Sequence, residues 1–140
     1  MVHEVHKIVK QQGKYRIAIA NSATSITGDN KNDVFICASH SGINVGQYAA
    51  QANVKGFIGN DAGIGLEEAG VAGLKVLDEK GIPGAAVSSM SAEIGVGPTT
   101  YETGVISVVN KAAQKIGIKS GITAKQAADL MLQAAVKQGK

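Results

Sequence analysis

The chain has 140 residues, is 44% hydrophobic and 18% charged, and carries a formal net charge of +3. That balance predicts a single globular domain over 1–140, able to bury about two-thirds of its unfolded surface, and excludes a disordered chain. Arg16 is the one arginine among 14 cations, and the few aromatics form no stacking series, so nucleic acid is not an expected partner.

Cys37 is the one cysteine, which excludes an intrachain disulfide framework; inside DVFICAS it predicts a small buried hydrophobe. No apolar run approaches the roughly 18 residues of a membrane helix, and MVHEVHKIVKQQGK lacks the apolar core of a signal peptide. The expectation is a cytoplasmic protein with no membrane partner.

In chain order, YRIAIA (Tyr15–Ala20) and DVFICA (Asp33–Ala38) read as strands. The TGDNKND segment between them is too short for a helical crossover and predicts a hairpin. A helix is expected over Ile43–Ala52, then a strand over Val54–Ile58 that stops at the bend GNDAGIG. Leu66–Lys80 follows as a helix, with Gly81 as its stop. Gly70 and Gly73 inside it each cost about 1 kcal/mol relative to alanine. That cost predicts a close approach, by the sheet first and by a symmetry-related helix second; the latter accords with an expected homo-oligomer.

Ile82–Val87 is the fourth strand. Thr99-Thr100-Tyr101-Glu102 fits a capping box opening a helix to about Ile116, and Thr123 with Gln126 repeats the box for a last helix to about Lys137. Short apolar strands alternating with helices predict a three-layer α/β domain around a largely parallel or mixed sheet of about four or five strands.

Ligands of open α/β sheets bind beyond the carboxyl ends of the strands. Those ends carry Asn21 and Ser22; Ser39, His40 and Ser41; Asn60 and Asp61; and Ser88, Ser89 and Ser91. His40 is the leading proton-transfer candidate, and Asp61 is a base or orienting group, or else the cap of the next helix. Ser39, Ser41, Asn60, Ser89, Ser91 and Glu93 are candidate substrate contacts, with the bend Gly95–Pro98 as a candidate lid.

Complete cofactor motifs are absent. Gly63-Ile64-Gly65 is followed by Glu68 where a dinucleotide fingerprint needs glycine, and Val71-Ala72 stand where a P-loop from Gly65 needs Lys-Ser/Thr. Glu67 and Glu68 already complement the dipole of that helix start, which disfavours phosphate there. No G-x-S-x-G elbow occurs. His3 and His6 have no further ligand nearby in sequence, so neither metal nor cofactor is assigned.

The segment VFICASHSG (34–42) resembles the opening of mannose-type phosphotransferase IIA components, in which a hydrophobic strand runs into Ser-His-Ser or Ser-His-Gly. The resemblance implies His40 as phosphoacceptor. It is confined to that segment: a strand precedes it here, and GNDAGIGLEEAG is unlike that family's second motif. The sequence as a whole predicts an enzyme acting on a small molecule by acid–base or hydrolytic chemistry at the strand ends. The alternatives are a ligand-binding or regulatory subunit and a His40 phosphocarrier.

Overall fold

The computed structural model describes residues 6–22, 26–61, 71–92 and 97–138, and of His6 and His40 the backbone alone. Six strands form one sheet in the order of the chain: β1 (His6–Gln12), β2 (Tyr15–Ala20), β3 (Asp33–His40), β4 (Gly56–Asn60), β5 (Gly84–Val87) and β6 (Ile106–Val109). The run from β2 to β5 is parallel, and antiparallel β1 and β6 form the two edges. The helices are α1 (Ile43–Ala52), α2 (Gly73–Glu79), α3 (Gly97–Thr103), α4 (Lys111–Lys115) and α5 (Ala124–Gln138).

Alternate strand residues feed two cores. Ile17, Ile19, Val34, Ile36, Ile58 and Val87 pack with Ala127, Met131 and Leu132 of α5. On the opposite side Ala18, Phe35, Cys37 and Phe57 pack with α1 and α2 through Val45, Ala49, Leu74 and Leu77. A strand covered on both faces needs no polar alternation, which is why YRIAIA and DVFICA are nearly all apolar. The domain is a three-layer α/β fold around a mixed sheet. No described helix is long and apolar enough to cross a membrane.

Several elements differ from the sequence reading. β2 and β3 are parallel, with Arg16 in register with Asp33, and are not a hairpin. A short 3-10 turn at Gly28–Asn30, boxed by Thr27, lies in the connection. There Arg16 holds both carboxylate oxygens of the fully buried Asp33 at 2.8 Å, and Asn30 Nδ2 donates to Asp33 Oδ2 at 2.9 Å. The hairpin lies one strand earlier. A two-residue loop joins Gln12 to Tyr15, and Gly13 takes φ 61°, a left-handed value open to glycine.

The helix expected from Thr99 to Ile116 is three elements, α3, β6 and α4. Gly104 ends α3 against Thr100 and Val87: a Cβ there would fall 2.3 Å from the Thr100 carbonyl oxygen and 2.6 Å from Val87 Cγ1. The β-branched run Val105-Ile106-Ser107-Val108-Val109 then continues the sheet. Thr99 lies within α3 rather than capping it, and the Glu102 carboxylate sits 2.8 Å from Lys125 Nζ. The second box does form: Thr123 Oγ1 accepts from Gln126 N–H at 3.1 Å and Gln126 Oε1 accepts from Thr123 N–H at 3.0 Å.

Of the helix expected over Leu66–Lys80, Leu66 and Gly70 lie outside the described residues. Gly73 approaches α1 rather than the sheet or a second copy. A Cβ on Gly73 would fall 2.1 Å from the Gly42 carbonyl oxygen, and one on Gly46 would fall 2.4 Å from the Gly73 carbonyl oxygen. The close approach is satisfied within one chain, and the homo-oligomer loses that support.

Candidate functional site

The parallel strands end together, and Asp61, the residue after β4, is the pivot of that end. It is 6% exposed. Its N–H donates to the Val87 carbonyl at 2.9 Å, extending the β4–β5 ladder by one bond. Oδ1 accepts the Ser89 N–H at 3.0 Å and Oδ2 accepts the Ser107 hydroxyl at 2.7 Å. Ser107 Oγ also lies 3.3 Å from the Ala86 carbonyl, but its one proton favours the shorter, charge-assisted bond. A carboxylate taken out of water needs such donors, and here the β5–α3 loop and edge strand β6 provide them.

Asn60 is fully buried. Its Nδ2 donates to the Ala92 carbonyl at 3.1 Å, and its backbone carbonyl accepts both the Ser41 N–H at 3.0 Å and the Ser41 hydroxyl at 3.2 Å. The Ser41 carbonyl accepts the Gly73 N–H at 2.8 Å, so this serine ties β3, β4 and α2 together. His40 belongs to β3, which runs two residues further than expected, and its backbone is in register with Asn60. Neighbouring strands lie about 4.8 Å apart. His40 and Asp61 therefore lie at the ends of neighbouring strands, offset by one residue.

The structure thus gathers Ser41, Asn60, Asp61 and the backbone of His40 at one end of the sheet, with Ser89 bound to Asp61 through its N–H. Ser39 precedes His40 on β3, and its backbone and side chain act on the Cys37 thiol, opposing the effect of burial. Burial pushes the Cys37 thiol up to about 12, which makes it inert as a nucleophile. Ser91 braces its own turn, donating to the Ser88 carbonyl at 2.8 Å and accepting from Val105 N–H at 2.9 Å. Glu93 and half of the candidate lid, Gly95 and Val96, lie outside the described residues, while Gly97 and Pro98 open α3; residues 62–70, including the expected start at Leu66 of the helix that Asp61 would cap, also lie outside them.

A groove of about 420 Å³ is lined by Ser89, Met90, Ser91, Ala92, Thr99 and Thr103, and Asp61 adjoins it through its bond to the Ser89 N–H without lining it. Met90 stands at its rim, 94% exposed on a turn braced by Ser88 and Ser91. Nothing among the described residues gathers three His, Cys, Asp or Glu side chains as a metal would require.

Sequence reasoning passes over two residues. Ser107 is hidden in VISVVN, which reads as helix; on a strand, a lone serine in an apolar run stands out as facing a polar group. Asn110, which ends that run, caps α4 through Ala113 N–H, accepts Gly84 N–H, and donates to the carbonyls of Leu74 and Ile82. It is structural glue between α2, β5 and α4. Comparison with protein-family models, with curated proteins and with solved structures finds no match to this chain.

Proposed function

We propose that this end of the sheet binds a small polar molecule and performs acid–base or hydrolytic chemistry on it, with Asp61 as the central carboxylate and His40 as its partner in proton transfer. One observation supports the reading: a buried carboxylate at the end of a central strand, bonded to Ser89 of a groove wall and on the strand next to a histidine backbone. Asp61 oriented by Ser89 and Ser107 has the fixed geometry that general-base chemistry needs. Asn60 and Ser41 hold the strand ends in place beneath it.

A thermal-shift screen of small metabolites tests this on wild type, His40→Ala and Asp61→Asn, with proton NMR of the same mixtures to detect turnover. A ligand at about 100 times its Kd adds about 2.7 kcal/mol to stability. The expected result is a wild-type shift of several degrees that both variants lose while remaining folded. A shift of full size in both variants would refute the assignment. A second reading is favoured by one observation: both described Asp61 side-chain bonds hold other parts of the protein, Ser89 and Ser107. On that reading the carboxylate shapes a ligand-binding subunit without chemistry, and the same screen would show binding with no turnover.

A further inference from the structure

The turn that walls the groove is held by hydrogen bonds that run inward. Ser91 N–H donates to the Ser88 carbonyl at 2.9 Å, which closes the turn over Ser89 and Met90. Met90 N–H donates to Ser88 Oγ at 3.1 Å, Ser89 N–H to Asp61 Oδ1 at 3.0 Å, and Ser88 N–H to the Val105 carbonyl at 2.9 Å. The backbone donors from Ser88 to Ser91 are therefore all spent within the protein. Two hydroxyl protons are spent the same way. Ser91 Oγ donates to the Ser88 carbonyl at 2.8 Å while accepting Val105 N–H at 2.9 Å. Thr103 Oγ1 has the Ser91 carbonyl at 2.7 Å and the Thr99 carbonyl at 3.0 Å, and its proton goes to one or the other.

A hydroxyl has one proton and two lone pairs. With their protons committed to carbonyls, Ser91 and Thr103 can only accept from a ligand. Ser89 differs: its hydroxyl has no hydrogen-bond partner among the described residues, so it can donate and accept. Met90, almost fully exposed, adds an apolar thioether at the rim. The wall is thus weighted towards acceptors, with one free hydroxyl and one apolar arm. Its groove of about 420 Å³ falls in the usual range of small-molecule sites, about 300–1,000 Å³.

We propose that the groove binds a small neutral polyol or sugar. Its hydroxyl protons go to Ser91 Oγ and Thr103 Oγ1, one of its oxygens accepts from the Ser89 hydroxyl, and its C–H face lies against Met90. This rests on the functional reading above and names its substrate class, because Ser89 both lines the groove and holds Asp61. Carboxylates and phosphates only accept, and the turn has no backbone donor left for them. A neutral ligand also suits the six described lining residues, none of which is ionised.

The test is NMR of protein carrying carbon-13 at its methionine methyls. Met90 reports on the groove, and the fully buried Met131 reports on the fold. Polyols raise Tm by exclusion from the surface whether or not they bind, so Tm is not the readout. D-ribose, D-glucose and glycerol are compared at constant ionic strength with 1,2,3-trimethoxypropane, which keeps the oxygens of glycerol without its donors, and with malonate, inorganic phosphate and ethylamine. At least one polyol should give a saturable shift of the Met90 methyl with Met131 unmoved, and the ether, the anions and the amine should give none. Ser89→Ala and Thr103→Val should each weaken that binding about fivefold, with an unmoved Met131 signal showing that the fold persists. A response to trimethoxypropane equal to that of glycerol, or to the anions or the amine in place of the polyols, would overturn the acceptor argument. A Met90 methyl that no compound moves would sink the site, as would polyol binding undiminished in both variants. Full-strength polyol binding in Asp61→Asn would uphold the groove while refuting the role given to Asp61, so the two failures are told apart. Should a variant fail to fold, the wild-type contrast between glycerol and its ether still decides.

Discussion

At the scale of single residues, Cys37 shows how far composition reaches. A lone cysteine in an apolar run is legible as a small hydrophobe, and the fold buries it completely between β3 and α1. Burial raises its pKa from 9.0 to about 12, with the Ser39 bonds opposing. The folded state therefore holds the thiol proton more tightly than the unfolded state. The resulting stability is fully present below pH 9 and is lost as pH rises from 9 towards 12. The loss approaches about 1.4 kcal/mol per pH unit within that window. Urea titrations at intervals between about pH 8 and 11 should show wild type losing stability relative to Cys37→Ala above the unfolded thiol's range. Parallel curves for the two proteins would mean the thiol is not held protonated. Ser107 is illegible for the opposite reason: its role comes from Asp61, 46 positions away, and appears only once β5 and β6 pair.

At the scale of elements, glycines inside a helix signal contact but not its partner. Helix preference alone favours alanine over glycine by about 1 kcal/mol. At Gly46 that gain is overwhelmed, because the added methyl would lie 2.4 Å from the Gly73 carbonyl oxygen and 2.6 Å from its Cα. Both are backbone atoms that cannot rotate aside. Gly46→Ala should cost about 2–3 kcal/mol net by forcing α1 and α2 apart. Gly28→Ala, where an added Cβ meets nothing within 4 Å, should change stability by less than about 0.5 kcal/mol. Equal denaturation midpoints for the two variants would show that the α1–α2 seam yields freely. The misread stretch 104–116 teaches a related lesson. Val105-Ile106-Ser107-Val108-Val109 favours strand by its branching, but the apparent box at Thr99–Glu102 biases it towards helix, and Gly104 is the break that separates the two.

At the scale of the whole molecule, the central parallel strands are legible because burial on both faces leaves them uniformly apolar. The edges are not. β1 (HKIVKQQ) and β6 each mix polar with apolar residues, as suits edge strands, where one side lacks a partner strand. Nor can the sequence say how the two layers differ. On one side α1 and α2 pack through the seam at Gly42, Gly46 and Gly73. The other core is covered largely by α5, which lays Ala127, Ala128, Met131, Leu132 and Ala135 over the parallel strands. Met131 reaches furthest in: a Cβ on Gly56 would fall 2.6 Å from its sulfur, so helix and β4 touch with nothing between. Losing α5 would uncover Ile17, Val34, Ile36 and Ile58 together. A chain ending at Thr123 should therefore lose its cooperative thermal transition and bind a hydrophobic dye while keeping much of its far-ultraviolet dichroism. A sharp, reversible transition in that truncated chain would show that the α1–α2 layer alone sustains the sheet.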